Sequence, residues 1–266
     1  MITKTELRLL ADEVLGIFRR GELERVSSTP MGSLSLEQAY RVQDLVIERR
    51  MTDGETVAGY KVGCTSEAIR HQFGLTEPIS GWLMYSHIYH SETSLEYNSF
   101  TDCAVESEFV LWIGKEITGE RLLDDTFLRA AIDGVSVGIE VHNFRFWHGK
   151  PTSQELIASN GLHACLVIGR GKHPLKDIDL GMEGVGIWIR EQLQASGIGY
   201  EVMDHPLTSL RWLAGQLHDR GQKLLPGQWV IPRSPVRLVS VPPSASVRAT
   251  ITNLGSVRAY FAANNK

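Results

Sequence analysis

Val105-Glu106-Ser107-Glu108-Phe109-Val110-Leu111-Trp112 sets two acids into a run that otherwise reads as protein interior. A strand places residues two apart on one face. Cys103, Val105, Ser107, Phe109, Leu111 and Ile113 then line one side, and Ala104, Glu106, Glu108, Val110 and Trp112 the other. Both sides are largely apolar, the pattern of a strand covered on two faces. Two unpartnered carboxylates there would repel each other and lose hydration, so one must take up a proton or both need a cation. Exposure on an edge strand, or pairing with some of the 27 Lys and Arg residues, would explain the same acids without any site.

A second segment repeats the anomaly. In Gly134-Val135-Ser136-Val137-Gly138-Ile139-Glu140-Val141-His142, four apolar residues alternate with Ser136, Gly138, Glu140 and His142. If the two strands meet, Glu106, Glu108 and Glu140 converge. That is an all-oxygen set, suited to Mg2+ or Mn2+ and poorly matched to zinc. His142 shares the predicted face of Glu140, as an outer partner, a substrate contact or a structural histidine.

Around these strands the chain is mixed. Its first fifty residues read as helix: Leu7, Leu10, Ala11, Val14, Leu15 and Phe18 recur at helical spacing, with Gly21 as the stop. A second helix fits Leu36 to Arg50, begun by the capping-box pattern Ser35-Leu36-Glu37-Gln38. From Thr56 onward come short β-type runs: TVAGYKV, GWLMY, AVESEFVLWI, GVSVGIEVH, HACLVI, VGIWIR, QWVI, VRLVS, SVRATIT and GSVRAYF. Helical candidates fall at 65–73, 125–132, 153–159 and 206–220. Strands outnumber helices without regular alternation, which predicts an α+β fold with a helical portion over 1–55 and a β-rich portion over 56–266.

A length of 266 residues suffices for a sizeable core, and 42% hydrophobic with 22% charged residues excludes a disordered chain. A net charge of −4 gives no overall attraction to nucleic acid or anionic lipid. Cys64, Cys103 and Cys165 are too few for a disulfide framework and too far apart for a paired zinc motif. The opening MITKTELRLLADEVLGIFRRG carries acids among its apolar positions and lacks a signal-type or membrane-spanning core. A soluble cytoplasmic protein is expected, with neither membrane nor nucleic acid as partner.

Several segments, in order, resemble the hydratase/decarboxylase family of catabolic enzymes (2-hydroxypenta-2,4-dienoate hydratase and 4-oxalocrotonate decarboxylase) within the fumarylacetoacetate hydrolase superfamily. They are SLEQAYRVQD, GYKVGCTSEAIRHQFGLTEPISGWL, VESEFVLWIGKEI, GIEVHNFR, SNGLHACLVIG, DHPLTSLRWLAGQL, LLPGQWVI and GSVRAYF, spanning about Ser35 to Phe261. The resemblance implies a mixed β-roll with an N-terminal helical portion, a homo-oligomer often found beside a partner enzyme, and a small 2-oxo acid substrate. It further implies that Glu106, Glu108 and Glu140 hold Mg2+ or Mn2+ while Lys61 faces the bound substrate.

For Lys61, flanked by Gly59 and Gly63, the roles open are proton transfer or binding of the substrate's anionic end; an exposed strand lysine is the ordinary alternative. Ser159 and Asn160 match a family pair usually read as Asp-Asn, so Asn160 could hydrogen-bond substrate or serve a turn. The spaced pair His87 and His90 lacks further ligands and is assigned no role. Two departures stand out. Pro232-Arg233 replaces a Thr-Gly pair that admits the substrate carboxylate, and Ile79 stands where an acid is frequent. Arg233 could bind a second carboxylate bidentately, or sit exposed in a shifted loop. The resemblance thus implies a metal-dependent lyase, with hydration placed first and decarboxylation second. An acylpyruvate-type C–C hydrolase and a non-catalytic binding homologue stay open.

Overall fold

The strand Cys103–Ile113 pairs antiparallel with Ile132–Asn143 from end to end, Cys103 opposite Asn143 and Ile113 opposite Ile132. The rest of the chain is built around that ladder. The computed structural model describes residues 2–20, 31–119, 122, 124–144, 146–147 and 149–263; Gly21, expected to stop the first helix, lies outside them. In chain order the elements are helices α1 (Lys4–Arg20) and α2 (Leu36–Thr52), strand β1 (Val57–Gly63), helix α3 (Glu67–Phe73), strands β2 (Ile79–Met84), β3 (Ile88–His90), β4 (Thr93–Glu96) and β5 (Cys103–Ile113), and helix α4 (Asp125–Ala131). There follow β6 (Ile132–Asn143), α5 (Ser153–Ala158), β7 (His163–Ile168), β8 (Gly184–Ile189), β9 (Gln192–Ile198), α6 (Pro206–Asp219), β10 (Trp229–Ile231), β11 (Val239–Ser240), β12 (Ala245–Ile251) and β13 (Gly255–Ala262).

The larger sheet runs β2-β1-β10-β5-β6-β7-β3, with β11 also on β5; the smaller runs β4-β13-β12-β8-β9. One core fills the space between them. Val105, Phe109 and Leu111 of β5 and Val135, Val137, Ile139 and Val141 of β6 meet Val185, Ile187, Val247, Ala249, Val257 and Phe261 of the smaller sheet there. Helix α6 adds Leu207, Leu210, Leu213, Ala214 and Leu217, the apolar stripe that its spacing dictates. A second core joins α1 and α2 to α5, Leu75, Ile79, Phe146 and Trp147. The α2 capping box forms as its sequence requires, Ser35 Oγ accepting from Gln38 N while Gln38 accepts from Ser35 N.

Ten strand segments were expected, and the described residues contain three more. β3, β4 and β9 are short or largely exposed, so they lack the buried apolar run that marks a strand in sequence. VRLVS is corrected in the other direction, because only Val239 and Ser240 pair. Pro232 and Pro235 cannot donate to a ladder, and the chain leaves the sheet over this stretch. β10 pairs Leu111 and Trp112 of β5, and β11 pairs Ala104 and Val105. The Glu106–Val110 stretch between them therefore faces the departing segment instead of a strand.

Candidate active site

Register decides where the acids go. Glu106 lies directly opposite Glu140, and Glu108 opposite Gly138, all on the face of the larger sheet turned away from the inter-sheet core. Glu108 is buried and Glu106 half-buried, so an exposed location for the two acids is excluded. Glu108 and Glu140 are each 1% exposed, which makes their electrostatics costly unless compensated.

Glu140 is compensated. Its Oε1 lies 2.5 Å from Lys61 Nζ and 2.8 Å from His163 Nδ1, and its Oε2 3.4 Å from His142 Nε2. Burial opposes its ionisation, but Lys61 and His142 outweigh it and hold the carboxyl well below the usual range. Three strand intervals separate β1 from β6, about 14 Å in a flat sheet, so the 2.5 Å contact requires the sheet to curl around the acids.

Glu108 is not compensated. Both of its oxygens are buried without a hydrogen-bond partner. Burial, with Glu140 and Glu106 adding repulsion, pushes its carboxyl well above the ordinary value, Lys61 and Arg233 opposing. His142 Nε2 stands 3.2 Å from Glu106. Its burial favours the neutral ring, yet the carboxylates of Glu140 and Glu106 push it up to about 9.

Glu106, Glu140 and His142 bring one ligand atom each within 4.8 Å of one another. The orphaned oxygens of Glu108 beside this group are the observation that tests a cation here. Carboxylate oxygens in excess of their partners fit a hard divalent ion with positions left for water and substrate, and among the described residues the group offers three ligand atoms, short of a closed four-ligand zinc site.

Above the acids lies a cavity of about 260 Å³, lined by Lys61, Glu106, Glu140, His142 and Arg233 on its polar side and by Ile69, Phe73, Ile79, Leu156 and Leu162 on its apolar side. Lys61 is 3% exposed, so the exposed-lysine alternative fails. Asn160, Gly161 and Leu162 form a turn with φ of 59°, 63° and 64°. It sets Gly161 against Lys61, where an added Cβ would come within 3.2 Å of Nζ.

Ser159 and Asn160 do not line the cavity. Ser159 Oγ donates to Glu155 O and accepts from Trp147 Nε1; Asn160 accepts from Trp82 N at 2.7 Å and donates to Trp82 O at 2.8 Å. Both side chains are spent on building the turn. His87 Nδ1 lies 3.0 Å from the Ala164 carbonyl.

His163 was not foreseen. Strict alternation along HACLVI puts it on the face of Cys165 and Val167, in the inter-sheet core. A bulge at Ala164, where Val141 faces Cys165 but His142 faces His163, turns it to the acids instead. Burial drives the ring down to about 4, Glu140 opposing, so it stays neutral. Arg237, also in the cavity lining, was likewise missed; its place in a nominal strand run concealed it.

Arg233 has φ of 98°, a region that favours glycine. Its neighbours are pinned: Ser209 Oγ donates to Pro232 O at 2.6 Å, and Ser234 Oγ donates to Ser107 O at 2.8 Å, between the two acids of β5. Such a backbone costs about 1–3 kcal/mol and persists only where its surroundings enforce it.

No family model matches the chain. A 2-keto-4-pentenoate hydratase from Burkholderia vietnamiensis is 30% identical over 238 residues, 87% of each chain. Among solved structures, a 4-oxalocrotonate decarboxylase from Pseudomonas putida G7, complexed with magnesium and adipate, superposes with a TM-score of 0.92 at 25% identity, covering 98% of this chain and 99% of its own. A fumarylpyruvate hydrolase from Pseudomonas aeruginosa shares the fold more distantly, at TM-score 0.59 and 17% identity over 77% of this chain and 89% of its own.

Proposed function

Because the chain belongs to the hydratase/decarboxylase family of the fumarylacetoacetate hydrolase superfamily and is therefore an enzyme, we propose that Glu106, Glu108 and Glu140 hold Mg2+ or Mn2+ and that the site acts on a small 2-oxo or 2-hydroxydienoic acid. The reaction preferred is hydration of 2-hydroxypenta-2,4-dienoate or a relative. The observation that carries the reading is the buried, partnerless carboxylate of Glu108 beside Glu106 and Glu140 under the cavity. When bound, the cation would supply Lewis acidity toward negative charge developing on the substrate's 2-oxygen.

The chain's own residues do the rest. Lys61 Nζ, held on Glu140 at the cavity wall, is placed to give and take the proton that moves during tautomerisation. His142 lies beside Glu106 and Glu140 and serves as an outer partner or an additional ligand. The apolar wall of Ile69, Phe73 and Ile79 limits water around the carbon chain. Asn160 and Ser159 act through the turn that positions Gly161 against Lys61, not by touching substrate. A second reading, decarboxylation of a 4-oxalocrotonate-type acid, is favoured by Arg233, a cation in the cavity lining that suits a second carboxylate. No helix among the described residues is long and apolar enough to cross a membrane; we place the reaction in the cytoplasm, in a homo-oligomer that can associate with a partner pathway enzyme.

Turnover of freshly generated 2-hydroxypenta-2,4-dienoate and of 4-oxalocrotonate, followed by ultraviolet absorbance with Mg2+, Mn2+ or chelator, tests this. Metal-dependent loss of the dienoate band supports the hydratase, and metal-dependent CO2 release the decarboxylase. Absence of metal binding together with absence of both activities would overturn the reading.

A further inference from the structure

The charges around the cavity do not cancel pairwise, and the remainder is informative. Lys61 is consumed by Glu140 at 2.5 Å. Arg233, half-buried in the cavity lining, has no carboxylate within ion-pair distance among the described residues. Arg237 lines the same cavity from an exposed position, its Nη2 donating to the Gln194 carbonyl at 3.1 Å, and it too has no carboxylate within ion-pair distance among the described residues. Two guanidinium groups thus stand on one segment, four residues apart, where the chain leaves the sheet between β10 and β11.

The backbone is bent to put one of them there. Arg233 adopts φ of 98°, which glycine tolerates and arginine does not. Both its flanks are fixed by buried serine hydroxyls, one from α6 and one reaching the Ser107 carbonyl. A residue held in an unfavourable conformation, unpaired and aimed into a cavity, is ordered toward a ligand group that arrives later. A planar guanidinium recognises a carboxylate bidentately, with more geometric selectivity than a lysine.

The geometry points to Arg233 as the receptor for a second anionic group on the substrate, so that the site selects 2-oxo acids carrying a distal carboxylate over their monoanionic counterparts, with Arg237 drawing the dianion in at the mouth. This rests on the metal-dependent 2-oxo acid reading and narrows it: within that reading it ranks dicarboxylate relatives above the monoanionic 2-hydroxypenta-2,4-dienoate. One end of the substrate lies toward Glu106 and Glu140, and the other toward Arg233.

The test is titration calorimetry of the full chain in Mg2+ with 2-oxoadipate and with 2-oxohexanoate, which match in chain length and differ in the distal charge. Wild type should bind the dianion tighter by about tenfold or more, the worth of a charge-assisted contact. Arg233→Gly, which suits the backbone at that position, and Arg233→Met, which keeps side-chain bulk, should both erase the preference while near-ultraviolet circular dichroism stays native. Arg233→Lys should restore part of it. Equal binding of the two acids by wild type overturns the inference and leaves the 2-oxo acid reading intact. So does a preference that survives in both variants, or equal weakening of both ligands. Failure of wild type to bind either acid or Mg2+ overturns the reading and the inference together.

Discussion

Glu140 and Glu108 are both fully buried carboxylates, yet their surroundings push them in opposite directions. Glu140 has Lys61 and two imidazoles in contact, and Glu108 has no hydrogen-bond partner for either oxygen. Their responses to substitution should differ accordingly. Lys61→Met would strand Glu140 without its nearest cation, at a cost of about 3–5 kcal/mol, read as a lower midpoint in denaturant unfolding together with loss of turnover. A loss under about 1 kcal/mol would mean that the His142 charge and the His163 hydrogen bond compensate Glu140 unaided. Glu108→Gln should behave in the reverse way, because it removes a carboxyl that the metal-free fold cannot satisfy. Its metal-free Tm should equal or exceed wild type, while the stabilisation that saturating Mg2+ or Mn2+ gives, about 2.7 kcal/mol at a hundredfold excess over Kd, should largely vanish. A Glu108→Gln protein that keeps the full metal-induced rise in Tm would remove Glu108 from the ligand set.

At the scale of elements, the site is made by irregularities, and these divide what was legible in the sequence from what was not. The alternation in VESEFVLWI and GVSVGIEVH carries β5, β6 and the shared face of Glu106, Glu108 and Glu140, because both faces of these interior strands are buried and a one-residue slip would misplace every side chain. His163 was illegible for the opposite reason, since a bulge at Ala164 breaks the alternation that would assign its face. The Asn160 to Leu162 turn was readable as a turn but not as a support, for its value lies in long-range bonds to the Trp82 backbone. Arg233 stood out only as a departure; its positive φ and clamped flanks are tertiary facts. The turn yields a prediction. Asn160→Ala should cost about 2–3 kcal/mol, combining a left-handed backbone with two unsatisfied main-chain groups on Trp82. Asn160→Gly should recover about 1 kcal/mol of it, since glycine relieves only the backbone part. Equal destabilisation in the two variants, measured by urea unfolding, would show that φ contributes nothing.

Across the whole molecule, the helical core and the sheet core meet at the site. Ile79, Leu156 and Leu162 belong to the core of α1 and α2 and also form the apolar wall of the cavity. Gln43 of α2 reinforces the junction, its Nε2 donating to the carbonyls of Ser80 at 3.0 Å and Ile157 at 2.8 Å. A second tie lies at the far end of α2, where Arg50 holds Glu55 through two bonds of 2.8 and 2.7 Å and Ser86, just beyond β2, also donates to Glu55. The Arg50 bonds outweigh burial and hold the Glu55 carboxyl down to about 2 from an ordinary 4.5. A carboxyl whose value is depressed in the folded state stabilises the protein above its unfolded value, and that contribution is lost as pH falls through the folded one. The window is therefore about pH 4.5 down to about pH 2. The side chain is 24% exposed, so solvent screening limits the effect to about 1 kcal/mol. Wild type should exceed Glu55→Gln by that amount in urea unfolding at neutral pH, and the gap should close progressively as the acid limb is crossed. A gap that stays constant to the lowest pH at which both remain folded would mean that the tie acts through shape and not charge, and that the helical portion is docked on the sheet by Gln43 and the apolar wall alone.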